Sequence, residues 1–296
     1  MKLSVFVVTY NQEKYIRQCL DSILMQEVDF DYEVVIGEDH GTDGTRAICE
    51  EYVEKYPQVR LLPLTDNLGV AGNWRRVLLE CKGEYVAMCE GDDYWTDSKK
   101  LQKQVKFMDE NKQYAGCFHN ANTVDENGSI IGQLHNGKMN IEYDFAQMTG
   151  GWFVPTASIC FRRSSDIIDY FSELAKYSYL SADRLLVALI SNEGKMAYSS
   201  EIMSAWRRCG DCLSLSVDTM RIYEGNVSLF KRLLANIPKH KKILTKRVFE
   251  WNGKLALEYY MNSKYRNYLC SLANALLYLR SFLDLKEWIK NYLLRK

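Results

Sequence analysis

Residues 83–101 read GEYVAMCEGDDYWTDSKKL. The apolar run Tyr85–Cys89 breaks abruptly into Glu90-Gly91-Asp92-Asp93. A helical period then begins around Thr96, with Leu101, Val105 and Met108 at i, i+4 and i+7. This is the pattern of a buried strand that delivers carboxylates to the edge of a sheet. Three acids within four residues repel one another, so a positive partner belongs among them. A hard divalent cation bridging a diphosphate is the economical candidate.

The chain on the N-terminal side of this stretch alternates strand and helix. Leu3–Val8 is a near-continuous β-branched and apolar run, the mark of a strand covered on both faces. Ile16, Leu20, Ile23 and Leu24 mark a helix. Tyr32–Ile36 reads as a second strand, residues 45–55 as a helix and Val59–Leu64 as a third strand. Trp74, Val77, Leu78 and Cys81 give a third helix with Trp74 on its core stripe. Such alternation predicts a mainly parallel sheet of βαβ units, which binds ligands beyond the carboxyl ends of its strands. The polar segments Thr9-Tyr10-Asn11-Gln12-Glu13, Glu38-Asp39-His40-Gly41 and Asn67-Leu68-Gly69 fall on that edge together with the acids.

Beyond residue 113 the pattern changes. Tyr114–Phe118 reads as a strand, and Asn127-Gly128 is a turn signal between Val124 and Ile130. Residues 132–150 show no period and read as a long loop, and Trp152–Arg162 as extended chain. Ala182–Asn192 is helical, with Leu185, Leu186, Leu189 and Ile190 facing a core. Strands at Lys195–Tyr198 and Ile202–Trp206 complete a first domain over residues 1–218. The remainder, 219–296, reads as helices near 219–236, 240–261, 264–280 and 282–294.

The 296 residues carry 38 basic and 38 acidic side chains, but the balance is uneven. Residues 1–219 hold 22 Lys and Arg against 33 Asp and Glu; residues 220–296 hold 16 against 5. Basic amphipathic helices with Trp and Leu suit an anionic membrane surface, and equally a helical cap with a solvated outer face. Nucleic-acid binding is disfavoured, because the basic part carries no recognisable motif and the larger part is acidic. The opening run is too short for a membrane span and lacks the basic leader and cleavage site of a signal peptide, which predicts a cytoplasmic protein. Nine cysteines without framework spacing read as reduced, largely core residues, Cys81, Cys89 and Cys117 among them. Cys209-Gly210-Asp211-Cys212 is a lone CxxC, too little for a zinc ribbon.

Taken together, SVFVVTYNQEKYI, VVIGEDHGTDGT, NLGVAGNW, GEYVAMCEGDDYWTDSKKLQKQV and SADRLLVALI resemble, in order, the motifs of the inverting nucleotide-sugar glycosyltransferases of family two, which have the GT-A fold. The likeness covers about residues 3–210 and is nearest to bacterial members that build surface polysaccharides. It implies an α/β GT-A domain with a C-terminal α-helical appendage. The implied activity is transfer of a sugar from a nucleotide sugar, a UDP-sugar first among the candidates, to a hydroxyl of a glycan or lipid-linked glycan at the inner face of the membrane.

The resemblance assigns Thr9, Tyr10, Asn11 and Glu13 to the base and ribose, and Asp39 to the uracil or ribose, with Glu38 where many relatives have a second Asp. Asn67 and Asn73 match positions near the nucleotide or diphosphate. Asp93 matches the ligand of Mn²⁺ or Mg²⁺, and Asp92 shares the metal or bonds the ribose. Asp183 matches the general base, although Ala182 stands where relatives have an acid. Pro155-Thr156-Ala157-Ser158 resembles the acceptor side, with Trp152 as a stacking surface. Where relatives carry Tyr-Arg-x-His-x-Gly, this chain has Trp206-Arg207-Arg208-Cys209-Gly210. A thiolate is a poor ligand for hard Mg²⁺, so either this loop leaves the metal alone or Arg207 and Arg208 hold the diphosphate. Read from the residues alone, Asn11 and Asp183 also serve as helix-terminal residues. A sugar-nucleotidyltransferase and a membrane-associated binding scaffold are the competing readings. The first lacks a Gly-rich phosphate loop after strand one, and the second leaves the acids without a purpose.

Overall fold

The computed structural model describes residues 1–151, 153–177, 181–208 and 218–278. They divide into two compact units: the described residues of Met1–Ser178 and Ala182–Leu215, and Ser181 with those from Asp218 onward.

The first unit is built on a ten-stranded sheet. Strands β1 (Leu3–Thr9), β2 (Tyr32–Glu38), β3 (Val59–Leu61) and β4 (Tyr85–Glu90) alternate with helices α1 (Ile16–Leu24), α2 (Thr45–Lys55) and α3 (Gly69–Glu80). These four strands run parallel in the order β3-β2-β1-β4. Every residue of β1 is buried, as a continuous apolar strand between two helical layers requires. Val5, Val7, Val34, Ile36, Ala87 and Cys89 pack with Ile16, Leu20 and Ile23 of α1 in one core. On the opposite face Phe6 meets Trp74 edge-on at 5.1 Å.

After the acidic turn come β5 (Tyr94–Trp95), α4 (Lys100–Glu110), β6 (Tyr114–Val124), β7 (Ile130–Gln133), β8 (Glu142–Tyr143), α5 (Phe145–Met148) and β9 (Cys160–Arg162). Helices α6 (Ser165–Leu174) and α7 (Ala182–Glu193) precede the long β10 (Lys195–Arg207). The sheet continues from β4 through β9, β6 and β10 to β5. β9 is antiparallel to both its neighbours, whereas β10 runs parallel to β6.

Three local expectations need correction. The span read as a loop, 132–150, contains the end of β7, β8 and α5, whose Asp144 forms a capping box with Gln147. The two strands read near 195–206 are one, because Ser199–Ser204 is accommodated by slips of register against β6 and not by a break. The helix expected from Thr96 starts at Lys100, since Tyr94 and Trp95 pair with Ala205 and Ser204 of β10.

The second unit consists of α8 (Thr219–Asn236), α9 (Lys241–Met261) and α10 (Tyr265–Leu277). Its core includes Leu229, Phe230, Leu233, Leu244, Val248 and Ala256, with Trp251 stacked on Phe230 at 6.4 Å. The helix expected over 282–294 lies outside the described residues, as do Trp152 and Cys209. Among the described residues no helix is long and apolar enough to cross a membrane.

Candidate functional site

The carboxyl ends of β1, β2 and β4 converge. Gly91 donates its N–H to the Val8 carbonyl, and Asp39 donates its own to the Thr9 carbonyl. This closeness restricts what can occupy the turn. A Cβ on Gly91 would stand 2.5 Å from Gln12 Oε1 and 2.7 Å from Thr9 Oγ1, so only glycine lets the acidic turn lie against the β1 loop.

The loops after β1 and β2 are stapled together. Asn11 accepts from the Thr42 N–H at 2.7 Å, Glu13 from the Gly44 N–H at 2.9 Å, and the Gln12 N–H donates to Thr45 Oγ1 at 2.8 Å. Asn11 and His40 both adopt left-handed backbone, φ 51° and 59°, a cost accepted where the fold dictates the conformation. Tyr10 projects outward, 48 % exposed.

Asp39 is buried and accepts from the Leu68 N–H at 2.9 Å, while Asn67 donates to its carbonyl at 2.7 Å. Burial raises the Asp39 carboxyl above its ordinary value, opposed by the Leu68 N–H and Arg76. Glu38 accepts from the Gly41 N–H and lies 3.6 Å from Arg46. Asn73 is committed at both ends of its amide, donating to the Gly37 carbonyl and accepting from Arg76. It sits beneath the loops and not at their surface.

The acidic turn is the electrostatic centre. Asp93 is 2 % exposed; its Oδ1 accepts the Arg207 N–H at 2.9 Å, and its Oδ2 is buried without a partner among the described residues. Burial, then Asp92 and Glu90, hold its carboxyl well above the ordinary range. Glu90 is pushed up to about 8 by burial, then by Asp92 and Asp183, against a hydrogen bond with Thr156. Burial likewise raises Asp92, which gains from Arg207 and a hydrogen bond with Gln12.

Asp183 stands in the first turn of α7, its carboxyl raised by burial against the pull of Arg184. Its repulsion of Glu90 brings it into the same electrostatic neighbourhood as the turn. Thr156, from the acceptor-side segment, belongs there too through its bond to Glu90.

Sequence reading left Arg207 as a candidate phosphate contact. In the fold its guanidinium, 2 % exposed, binds the carbonyls of Asp92, Asp125 and Glu126 and the Gln18 amide. It lies 4.5 Å from the Tyr15 ring centre and 5.4 Å from that of Tyr94. It buttresses the turn, a role that depends on residues from four separate segments and that no local spacing announces.

Among the described residues no three His, Cys, Asp or Glu side chains converge as a complete protein metal cage. The donor set nevertheless fits a hard cation held by one or two carboxylates and completed by phosphate oxygens and water. Asp93 offers an oxygen that is buried and partnerless among the described residues, and burial raises all three acids of the turn, with repulsion from the other acids added at Glu90 and Asp93.

The sequence model of Glycosyl transferase family 2 matches residues 4–171, more than half of the chain. A Mycobacterium tuberculosis protein described as uncharacterized is 34 % identical over 207 residues, covering 70 % of this chain and 58 % of its own length. This chain therefore spans less than two thirds of that relative. The first 349 residues of Staphylococcus aureus TarS, solved in complex with UDP-GlcNAc, superpose with a TM-score of 0.63 at 20 % identity, covering 92 % of this chain and 91 % of that one. The mannosyltransferase PcManGT of Pyrobaculum calidifontis, in complex with GDP-Man and Mn²⁺, gives 0.54 at 18 % identity over 99 % and 80 %. These two likenesses carry the GT-A fold. With the family match running from β1 into α6 and including the acidic turn, the chain belongs to glycosyl transferase family 2.

Proposed function

We propose that the protein transfers a sugar from a UDP-sugar to a hydroxyl of a glycan or lipid-linked glycan, with inversion and with help from Mn²⁺ or Mg²⁺. The observation that carries this reading is the Asp93 Oδ2, buried and partnerless among the described residues, in a turn of buried acids whose Glu90 is raised by Asp183. Support comes from the family match and from the UDP-GlcNAc and the GDP-Man with Mn²⁺ bound to the two structural neighbours.

Asp93 and Asp92 would hold the cation, which when bound neutralises charge on the diphosphate. Tyr10, Thr9, Asn11, Glu13, Asp39 and Asn67 form or brace the nucleotide cleft, and Asn73 supports it from below. The Asp183 carboxylate takes the proton from the acceptor hydroxyl. The acceptor oxygen bonds to C1 of the sugar as the bond from C1 to the phosphate oxygen breaks, and the nucleoside diphosphate departs. Burial suits Asp183 to this task, because it raises the carboxylate's affinity for a proton.

A panel of nucleotide sugars with Mn²⁺ or Mg²⁺, followed by thermal stabilisation and release of nucleoside diphosphate, tests the reading. UDP-sugars are expected to stabilise the protein and to be turned over. Failure of every nucleotide sugar to do either overturns it.

The second unit extends the proposal to an anionic membrane surface. Its basic excess accompanies exposed Tyr260, Met261, Tyr265, Leu269 and Leu277 on α9 and α10. Cationic helices with apolar side chains suit the headgroup layer and would bring the enzyme to a lipid-linked acceptor on the cytoplasmic side.

A further inference from the structure

A recess separate from the acidic turn opens beside β10. Its volume is about 510 Å³, and Asn120, Gln133, His135, Lys138, Ile141 and Tyr198 are among its lining residues. That size falls within the ~300–1,000 Å³ of small-ligand sites.

The recess arises from the sheet. One edge of β10 pairs with β8 at Met196 and Ala197 and with β5 at Ser204 and Ala205. Between these pairings its register against β6 slips twice, around Ser199, Ile202 and Ser204. Such irregularities recur where a sheet re-aims side chains toward a site.

The rim is fixed in place. Asn120, 4 % exposed, accepts from the His135 N–H and donates to the His135 carbonyl, both at 3.0 Å. The His135 ring meets the Phe153 carbonyl at 2.6 Å and stands edge-on to Tyr198 at 5.3 Å. Tyr198 donates its N–H to the Ile141 carbonyl at 2.9 Å and packs on Phe118 at 5.2 Å. A preformed wall of this kind binds without a large ordering cost.

The chemistry of the lining selects the ligand. Gln133 and Asn136 offer amides and Ser200 a hydroxyl, all suited to the hydroxyls of a sugar. The Tyr198–His135 wall and the exposed Ile141 present apolar surface to a sugar ring. Among the described lining residues Lys138 is the charged one and none is acidic. Burial keeps His135 below its ordinary pKa and hence neutral. An acid-free recess with a lysine is unexpected in a stretch where 33 acidic residues face 22 basic ones.

The location is informative as well. Asn120 lies four residues before Val124 on β6, about 13 Å along the strand, and Arg207 binds the carbonyl of the next residue, Asp125. A saccharide chain spans that distance and a single sugar does not.

We propose that this recess is a second saccharide site, which holds an acidic unit of the acceptor glycan away from the transfer centre. Lys138 pairs with the acidic group, a uronate or a phosphodiester, and the Tyr198–His135 wall packs against the ring or polyol. The inference rests on the glycosyltransferase reading for the identity of the acceptor as a glycan.

The test uses the full chain without nucleotide or metal. It is titrated by calorimetry with a glucuronate-containing oligosaccharide, an oligomer of polyol phosphate and a neutral oligosaccharide of equal length. At least one acidic ligand is expected to bind more tightly than the neutral one, and the stronger of the two identifies the acid. Lys138→Glu is expected to weaken that ligand about tenfold and to leave the neutral one and UDP unchanged. Gln133→Ala, another exposed position, is expected to weaken all saccharides. Equal or absent binding of acidic and neutral ligands, or indifference to Lys138→Glu, overturns the proposal. UDP binding measured in parallel with Mn²⁺ present separates the two readings: its absence in the parent protein with saccharide binding intact defeats glycosyl transfer and leaves the saccharide site standing.

Discussion

The Arg207 backbone N–H, at the end of β10, donates to Asp93 Oδ1 at 2.9 Å and leaves Oδ2 buried without a partner among the described residues. One residue of β10 therefore decides which oxygen of Asp93 is left available. Asp93→Asn keeps an acceptor for that N–H and removes the charge. The variant is expected to fold normally, to lose metal-dependent UDP binding and to turn over at least ~10²-fold more slowly. Calorimetry with UDP, with and without Mn²⁺, checks this. Tight binding that persists in the variant without metal would sink the assignment.

Asp183→Asn separates chemistry from binding. Donor affinity is expected to stay within about twofold, while turnover falls ~10²–10⁴-fold, the usual worth of a positioned base. A rate equal to that of the parent protein moves the base elsewhere.

Arg207→Met tests the buttress. The substitution leaves the carbonyls of Asp92, Asp125 and Glu126 without their guanidinium partner. Orphaned, partly buried acceptors and a lost charge-assisted network together predict destabilisation of roughly 1–3 kcal/mol by urea denaturation, with a raised KM for donor. An unchanged midpoint would mean that water replaces the arginine.

His119 makes the fold sensitive to mild acid. It is fully buried on β6, hydrogen-bonds the Asn120 carbonyl at 2.7 Å and is held well below its usual pKa by burial and by Lys100. The unfolded chain takes up the proton that the folded one refuses. The stability linked to His119 is thus complete above pH 6.5, the unfolded-state value, and declines by up to about 1.4 kcal/mol per pH unit as pH falls below it. His119→Gln is expected to flatten this part of the curve, measured as urea midpoints between pH 7.5 and 5.5. Parallel curves for the two proteins would assign the acid sensitivity to other groups.

Membrane docking is readable by sedimentation with vesicles. The full chain is expected to co-sediment with anionic and not with neutral vesicles at low salt, and to be released as salt approaches about 0.5 M, where screening is nearly complete. Equal recovery with both lipids assigns the basic face to solvent.

The sequence made the parallel half of the sheet legible because both faces of those strands are covered. LSVFVVT of β1 and YVAMC of β4 admit little else, and the loops that follow then share an edge. Helix α6 also carries a local signal: Ser164 caps it, and Ile167, Ile168, Phe171 and Leu174 repeat at helical spacing. The recess beside β10 had no such signal. It depends on register slips and on contacts between residues that lie 15 to 63 positions apart. Arg207 was visible as a charge, but its partners lie 81 to 189 residues away, and only the folded chain brings them together.

The path of the chain through the acidic turn has a mechanical consequence. It enters from β4, in the parallel half, and leaves into β5, which pairs with β10 at the opposite end of the sheet. The turn is thus a short tether strung between two anchorages, one in the parallel strands and one continuous with the strand that shapes the recess. Only Gly91, Asp92 and Asp93 separate the two strands, so a displacement of either has three residues over which to be absorbed.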